Sequence, residues 1–579
     1  SVRLCYRPII LPVLLVCTMD VTKANMKEAV EKIECLLPTA AFVSFDEEMT
    51  GISIAGQSDS IADTPAKRYS KMRNVASKYN IIQFGLAIFH EKACAADAPT
   101  GSSKYEAHVF NFYLFPETGP VNMDGAAVAF NTKHGMDWNK WISEGVPYVN
   151  REAAQKLKES LLPKEDKVSA DKKEAARAPM VLTKESDIQT TGNAITALRS
   201  WLADDSKKDQ TEFEVIETNA YLRRFMHETL AKEFADLIVE SRPTAKPGLS
   251  KMFVLRLTDA QKTERAAKLR LEKEAEFARK VGFHKIFSAL IDAKRPVVGH
   301  AVLYDLLFAL SHFEGLLPES FVKFQELVRD LFPSLFCTQF LVKSEPFKFL
   351  PRAEDADPGS KRKHRFGSVA LGAVFKVLTE EATTAKKAGQ PTVEVAFAPG
   401  HDKYGHDCGA FHEAGYDAYI TGCVFAHMAK QALCSEHVSA LRGRTTMWRS
   451  LYHFNLYGED ELITKGTYVH ARGLKGRDDK CLRAAFAEIK APASEGNSAL
   501  KSNDIEIRWI DDDSAFAILP EACADQLNAM LERVRCRAGR SDGLSLTSWS
   551  DWRSAQCGPE NSRDNDVEEP PLKRARISE

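Results

Sequence analysis

The chain has 579 residues, of which 44% are hydrophobic, and this is enough for several domains with apolar cores. Its formal net charge of −2 excludes a general electrostatic attraction to nucleic acid, so any RNA contact must come from local basic patches. The twelve cysteines contain no Cys-x2-Cys pair, which argues against zinc and is typical of a reduced intracellular protein.

Residues 1–18 form a separate N-terminal segment. Arg3 and Arg7 precede an apolar run from Ile9 to Val16, which imitates a short signal peptide but is far too short to span a bilayer. We interpret the segment as an upstream extension, either a translated leader or a gene-model artefact, rather than as a secretion signal. We expect no membrane contact.

Phe42 to Gly51 is the most informative segment, because an apolar run there ends in Asp46 and Glu48. The faces of a strand alternate, so both carboxylates project from one side of a predicted strand. Like charges this close raise each other's pKa unless a cation lies between them, and hard divalent cations take such oxygen ligands. The alternative is an exposed strand end with solvated acids.

Strands and helices alternate through residues 40–150, where Ile81 to Phe89 and His108 to Phe115 are the clearest strands by their β-branched and aromatic content. Residues 151–188 are rich in Lys, Glu and Ala and favour a helical or disordered linker. Residues 258–281 are dense in charge and predict a solvated helix, with a basic RNA track as the alternative.

Two later segments place acids in apolar surroundings. A short predicted strand ending at His300 leads into an apolar helix that contains Asp305, and a lone acid there needs a partner. Asp417 opens another apolar helix, five residues after His412. With the first pair, these residues supply what two-metal hydrolysis of a phosphodiester requires: acids that hold the ions, and a histidine that takes a proton from water.

The order and spacing of these residues resemble the DEDDh exonucleases, and most closely the poly(A)-specific ribonuclease family. The resemblance runs from about Met19 to about residue 535. The matching segments are Phe45 to Ile52, Arg68 to Lys71, Gln83 to Leu86, Phe110 to Pro116, Gly145 to Tyr148, His412 to Gly422 and Trp509 to Phe516.

The resemblance implies an α/β fold with an RNase H-like DEDD exonuclease core, formed by residues 19–170 and 270–450. It implies an inserted R3H domain at residues 185–258 and a C-terminal RRM-like α+β domain at residues 452–535. We interpret residues 540–579 as a disordered tail because they are rich in Ser, Asp, Glu and Pro. The tail contains a basic cluster, Lys573 to Arg576, that predicts nuclear import.

The catalytic residues implied by the resemblance are five. His412 is the general base, and two Mg²⁺ ions, for which Mn²⁺ can substitute, are held by Asp46, Glu48, Asp305 and Asp417. Two departures from the family concern this site: Glu47 replaces a common Gly and should point away from the metals, and Ala301 replaces a usual Asn and should loosen the third motif.

Candidate RNA contacts are Ile52, Phe110, Phe112 and Phe115, with core packing as the alternative for most of them. Lys348 matches a position beside the poly(A) path, and its alternative is an ordinary surface lysine.

The two smaller domains carry further candidates. Arg223 and His227 form the Arg-x3-His signature of the R3H domain and share a helix face. Between Tyr468 and Val534 the predicted order is β-α-β-β-α, but the glycine-aromatic word of RNA-stacking RRMs is missing. Trp509 matches a cap-binding Trp, since a cationic purine stacks well on indole, and partly buried sheet packing is its alternative.

The predicted function is a Mg²⁺-dependent 3′→5′ exoribonuclease that shortens mRNA poly(A) tails, releases 5′-AMP and binds the m7G cap. The family implies a homodimer in the nucleus and cytoplasm, with single-stranded 3′ poly(A) as substrate. One alternative is a trimmer of small noncoding RNA 3′ ends. Another is a catalytically silent RNA- or cap-binding protein, against which the five intact catalytic positions argue.

Overall fold

The computed structural model describes residues 20–162, 180–345, 347–349, 363–405, 409–432, 438–490, 500, 504–536 and 543–556. The chain divides into two compact units, one of residues up to 151 and from 282 onward, the other of residues 152–281. The upstream extension and the basic cluster at Lys573 to Arg576 lie outside the described residues. Within the described ranges, no helix is both long and apolar enough to cross a membrane.

The secondary structure alternates strands and helices along much of the chain. The strands are β1 (Asp20–Val21), β2 (Phe42–Met49), β3 (Ile81–Lys92), β4 (Ser103–Tyr113), β5 (Glu212–Thr218), β6 (Ile238–Pro243), β7 (Ser250–Leu255), β8 (Val297–Gly299), β9 (Leu335–Cys337), β10 (Val393–Phe397), β11 (Arg444–Thr445), β12 (Tyr452–Asn455), β13 (Glu461–Leu462), β14 (Thr467–Arg472), β15 (Glu506–Trp509), β16 (Ser514–Leu519) and β17 (Ser545–Ser548). The α-helices are Met26–Leu36, Pro65–Lys78, Gly125–Lys133, Trp138–Glu144, Arg151–Leu161, Glu185–Ala203, Ala220–Glu233, Asp259–Val281, His284–Ala293, Leu303–Ala309, Phe321–Leu331, Thr338–Lys343, Leu371–Lys387, Ala414–Ala432, Val438–Leu441, Asp479–Ala484, Ala524–Cys536 and Trp549–Gln556.

A mixed seven-stranded sheet forms the centre of the larger unit, in the order β1-β4-β3-β2-β8-β9, with β10 also on β4. β3 is antiparallel to both β2 and β4, while β1, β8, β9 and β10 pair in parallel. The two strands predicted at Ile81 to Phe89 and His108 to Phe115 are confirmed as β3 and β4.

Both faces of this sheet are covered at its centre, which explains why β3 is buried without alternation from Ile81 to Phe89. The helix Ala414–Ala432 packs across β2, β3 and β4. On the sheet, Phe84 and Phe112 contact Phe283, with ring centroids 4.7 and 4.9 Å apart. Strand β2, which carries Asp46 and Glu48, is therefore held in the middle of a two-sided core.

The smaller unit has an antiparallel sheet in the order β5-β7-β6 and its own apolar core, which includes Leu198, Trp201, Met226 and Met252. The helix Asp259–Val281 buries only Val281 along its length. The prediction of a charged, solvated helix is thus confirmed.

The C-terminal part of the larger unit is an antiparallel sheet in the order β15-β16-β14-β17. The element order predicted between Tyr468 and Val534 is confirmed. The prediction of disorder from residue 540 is wrong for residues 545–556, because β17 pairs with β14 and the next helix buries Trp552, which is 6% exposed. The polar composition of this segment concealed Trp549 and Trp552, which pack on Phe516 at 5.5 and 4.9 Å.

Candidate active site

The first two acids lie near the end of β2. Asp46 is in register with Gly85 and Glu48 with Gln83, and a register shift after Glu48 ends the regular pairing. Asp46 and Glu48 are partly accessible, whereas Glu47 between them is buried. The predicted alternation of the three acids across the two strand faces is therefore confirmed.

The other two acids lie at the N-terminal ends of two helices. Asp305 lies in the first turn of Leu303–Ala309, and Asp417 lies in the first turn of Ala414–Ala432; each is 8% exposed. The backbone N–H of His412 donates to Asp417 Oδ2 at 3.1 Å. Asp417 Oδ1 is buried and has no hydrogen-bond partner among the described residues, so it is free to bind a ligand.

Burial raises the pKa of all four acids, and neighbouring carboxylates raise it further at Asp46 and Glu48. Burial, and then the charges of Asp305, Asp417 and Glu48, raise the pKa of Asp46 well above its usual range. Burial, and then Asp417 and Asp305, do the same to the pKa of Glu48. Burial raises the pKa of Asp305 and the pKa of Asp417 each to about 7.

Such a cluster is unfavourable unless protons or cations neutralise it. Ligand atoms of Glu48, His412 and Asp417 all lie within 4.8 Å of one another, close enough to share one ion. The carboxylate oxygens of Glu48 and Asp417, including the buried and unpartnered Asp417 Oδ1, are ligands that fit hard divalent cations.

His412 stands at the rim of the cluster, exposed and with a left-handed φ of 70°. Its ring contacts His134 at 4.2 Å and Phe130 at 4.8 Å between centroids. Burial, and then the neighbouring His134, lower the pKa of His412 below its usual value. The imidazole is therefore neutral at physiological pH and able to accept a proton.

Phe130 and His134 are residues that the sequence interpretation missed. Phe130 belongs to Gly125–Lys133, whose other side chains are small or polar, and it remains 43% exposed. A single large aromatic on such a helix was the available signal. Only the tertiary contact with His412 shows that it borders the site.

The two departures from the family have structural consequences. Glu47 is 4% exposed, and neither of its carboxylate oxygens has a hydrogen-bond partner in the described structure. Burial, and then Asp305, raise the pKa of Glu47 well above its usual range. Ala301 has a φ of 56°, in the left-handed region that Asn tolerates better than Ala, so the residue stores backbone strain beside the third motif.

The predicted RNA contacts separate into two groups. The assignments of Phe110 and Phe112 are wrong, because both side chains are 0% exposed and belong to the core. Ile52 is 60% exposed, and Phe115 is half-buried with its ring 5.0 Å from Trp141. Lys348 is partly exposed, and its Nζ lies 5.1 Å from the ring of Phe349. These three residues stay candidates.

The candidates in the two smaller parts have protein partners. On Ala220–Glu233, Arg223 donates to Ser250 Oγ at 2.7 Å, and His227 Nε2 lies 2.9 Å from Ser241 Oγ. Both partners belong to the β6–β7 sheet region, so the expected common helix face is confirmed. Trp509 is partly buried on β15.

A mixed α/β sheet whose central strand ends in converging acids beside a neutral histidine has the architecture of a hydrolytic nuclease. The model of the CAF1 family ribonucleases matches residues 21–425 of this chain. That match covers more than half of the sequence, and the chain belongs to the CAF1 ribonuclease family. It is therefore a ribonuclease, a hydrolase with an RNA substrate.

Similar proteins include the poly(A)-specific ribonuclease PARN of Xenopus laevis, 25% identical over 87% of this chain and 77% of that protein. The poly(A)-specific ribonuclease PNLDC1 of Mus musculus is 27% identical over 72% of each chain. These matches confirm the resemblance found in the sequence. Among solved structures, Pop2p of S. pombe in a Mg²⁺- and Mn²⁺-bound form aligns over 73% of this chain and 96% of its own, with 14% identity and a TM-score of 0.33.

Proposed function

We propose that this ribonuclease is a metal-dependent 3′→5′ exonuclease that removes poly(A) tails from mRNA and releases 5′-AMP. The observation that carries the proposal is a cluster of acids beside His412: ligand atoms of Glu48 and Asp417 lie within 4.8 Å of a ring nitrogen of His412, and the charges of Asp305, Asp417 and Glu48 act on Asp46. Similarity over 87% of this chain to relatives named poly(A)-specific supports the choice of RNA.

Asp46, Glu48, Asp305 and Asp417 would hold two Mg²⁺ ions, with Mn²⁺ as a substitute. Bound divalent ions supply Lewis-acid stabilisation of charge on the phosphate and lower the pKa of bound water. The protein's part is to present oxygens from β2 and from two helix starts at one place. Neutralisation of this anionic cluster couples cation binding to proton release at neutral pH.

His412 is proposed as the general base. Its neutral ring can take the proton of the attacking water, and its position at the rim leaves it in contact with solvent. His412 lies two residues before the helix Ala414–Ala432 and has a left-handed φ of 70°. Phe130 and His134 hold the ring by edge contacts and restrict its rotation.

Single-stranded RNA would reach this site past exposed apolar and basic side chains. Ile52 follows the metal strand, and Phe130 offers an exposed ring beside His412. Bases stack on such surfaces without sequence readout, so a preference for poly(A) would come from the geometry of a stacked adenine strand. Phe115 and Lys348 are further candidates along the path.

The accessory parts would add RNA and cap contacts. Arg223 and His227 on one helix face support an R3H domain for residues 185–258. The strand order β15-β16-β14-β17 with two helices supports an RRM-like domain, in which the cap would stack on Trp509. The Trp509 indole N–H donates to Asp479 Oδ1 at 2.7 Å, which holds the ring plane for stacking. We also propose a homodimer present in both nucleus and cytoplasm.

The test is hydrolysis of 5′-labelled oligo(A) on a denaturing gel, with Mg²⁺, with Mn²⁺ and with EDTA. We expect a ladder that shortens from the 3′ end, 5′-AMP as product, and no reaction in EDTA. Oligo(U) of equal length should react more slowly, and a 3′-phosphate should block the reaction. Metal-independent cleavage or internal cuts would refute the proposal. Preferential trimming of structured small RNAs would instead favour the trimmer.

A further inference from the structure

The turn that carries His412 and Asp417 is attached to the central sheet by two buried amide side chains. The N–H of Ala414 donates to Gln83 Oε1 at 3.3 Å, and the N–H of Gly415 donates to Asn111 Oδ1 at 3.1 Å. Gln83 is 3% exposed and Asn111 is 0% exposed. The first amides of a helix have no intrahelical partners, and here strands β3 and β4 supply them.

Asn111 lies in the same cross-strand row as Asp46 of β2. Gly85 of β3 pairs with Asp46 on one side and with Asn111 on the other. A Cβ atom on Gly85 would lie 1.9 Å from the carbonyl oxygen of Ala414, so the helix start sits directly on the strand. Asp46, Gly85 and Asn111 therefore form one row across three adjacent strands, and the start of the helix Ala414–Ala432 rests on this row.

Asn111 is the residue in this row that uses both ends of its side chain. While its oxygen accepts from Gly415, its Nδ2 donates to Glu413 Oε1 at 3.1 Å and lies 3.4 Å from Asp20 Oδ1. Glu413 directly follows His412 in the chain. A neutral amide satisfies both requirements at once, since a carboxylate lacks the donor and an aliphatic side chain lacks both groups.

A charge network completes the support. Lys403 Nζ donates to Glu413 Oε1 at 2.6 Å and to Asp20 Oδ1 at 2.9 Å. Lys140 Nζ donates to Asp20 Oδ2 at 2.6 Å. The lysines neutralise the two carboxylates that face Asn111, which keeps them in place against the amide.

We infer that Asn111 is a positioning residue for the hydrolytic site: it fixes the turn His412–Asp417 to the strand that carries Asp46. It does not reach the reacting atoms itself. The inference rests on the roles proposed for His412 and Asp417. Loss of such an outer contact typically lowers activity or metal affinity by about 10–100-fold, because small displacements of the acting groups are enough.

The test is Asn111→Asp, which keeps the oxygen that accepts from Gly415 but turns a donor toward Glu413 into a repelling anion. With oligo(A), we expect kcat to fall by about 10–100-fold and KM to stay within about threefold. The double variant Asn111→Asp with Glu413→Gln restores a carboxylate–amide pair with the roles exchanged. It should recover kcat to within about tenfold of the original.

A second readout needs no catalysis. Mn²⁺ affinity, measured by electron paramagnetic resonance, should weaken in Asn111→Asp despite the added negative charge, because Asp417 is displaced. Tighter or unchanged Mn²⁺ binding together with unchanged kcat would overturn the inference. An inactive original protein would count against the proposed function alone, since the Mn²⁺ measurement still decides the role of Asn111.

Two further variants guard against a purely structural explanation. Asn80→Asp makes the same change at a buried Asn that donates to Tyr148, and it should lower the melting temperature but leave kcat within about threefold. If Asn111→Asp does not fold, Glu413→Ala serves in its place, because the Glu413 side chain is 21% exposed. Full kcat in folded Glu413→Ala would refute the role of this contact.

Discussion

The three successive acids of β2 lie on two faces of the strand, and their surroundings on the two faces differ. On one face, Asp46 and Glu48 are partly accessible and feel the charges of Asp305 and Asp417, and Glu48 also lies close to His412, where a cation can neutralise the acids. On the other face, Glu47 is buried without any hydrogen-bond partner in the described structure. Burial raises the pKa on both faces, so a raised pKa by itself does not identify a functional acid. A functional acid is identified by its closeness to other potential metal ligands, as at Glu48.

The largest expected effect comes from removing charge on the metal face. Asp46→Asn, Glu48→Gln, Asp305→Asn and Asp417→Asn should each lower kcat by about a thousandfold, roughly 4 kcal/mol, because each removes a proposed metal ligand at nearly constant volume. The control is Glu47→Gln on the opposite face, which should keep kcat within about fivefold. Circular dichroism checks folding. Equal losses at Glu47 and Asp46 would break the comparison.

His412→Ala should lower kcat by roughly 10²–10⁴, the range for a general base. Single-turnover kinetics measures the loss, and Mn²⁺ titration of the same variant should show little change in metal affinity. A large loss of affinity with unchanged chemistry would make His412 a ligand instead, which its distance from Glu48 and Asp417 allows.

The contribution of Asp305 and Asp417 to the stability of the metal-free protein should fall as pH rises from about 4 to about 7. Asp305 and Asp417 have a pKa of about 7 in the folded protein, against about 3.9 in an unfolded chain. At these two groups the folded state therefore holds more protons, so their contribution to stability is fully present below about pH 4 and is lost as pH rises toward about 7, by on the order of 1.4 kcal/mol per unit for each group.

Urea denaturation in EDTA, repeated with saturating Mg²⁺, measures this dependence. Mg²⁺ should remove most of it, because the cation takes the place of the protons. The same slope in both buffers would mean that the cation does not bind among these acids.

Glu47→Met should raise the free energy of unfolding by about 2 kcal/mol, since an apolar side chain of similar volume replaces an unpartnered buried acid. Glu47→Gln, which keeps a polar group in the same place, should gain less. Denaturation in Mg²⁺ buffer distinguishes the two. Destabilisation by Met would show that Glu47 has an unrecognised partner.

The smallest expected effect concerns Ala301. Ala301→Asn should stabilise the fold by about 1 kcal/mol, because Asn accepts the left-handed backbone at φ 56° more readily. The matched control is Ala388→Asn, whose φ is −86° and which should gain nothing. Thermal unfolding measures both variants, and equal shifts would remove the strain argument.

Local periodicity was enough for the parts of the site that depend on one element. The alternation of Asp46, Glu47 and Glu48 followed from strand geometry, and the burial of Asp305 and Asp417 followed from apolar helices around them. The hydrophobic periodicity of a strand or helix does not predict which of its apolar side chains remain exposed to solvent. Phe110 and Phe112 were therefore misplaced on an RNA path, while Phe130, outside any strong pattern, borders His412.

The sequence by itself determined the kind of chemistry, because residue type, order and strand period are local properties. The tertiary structure alone decided what depends on a second element packing against the first. The helix Trp549–Gln556 is ordered because β14 and Phe516 lie beneath it. Asn111 lies 301 residues before His412 in the sequence. It can support the turn that contains His412 only because Gly85, which has no side chain, lets the start of the helix Ala414–Ala432 rest on the sheet. Composition predicts which segments are buried on average. It does not predict which side chains touch across the sheet, because packing decides those contacts.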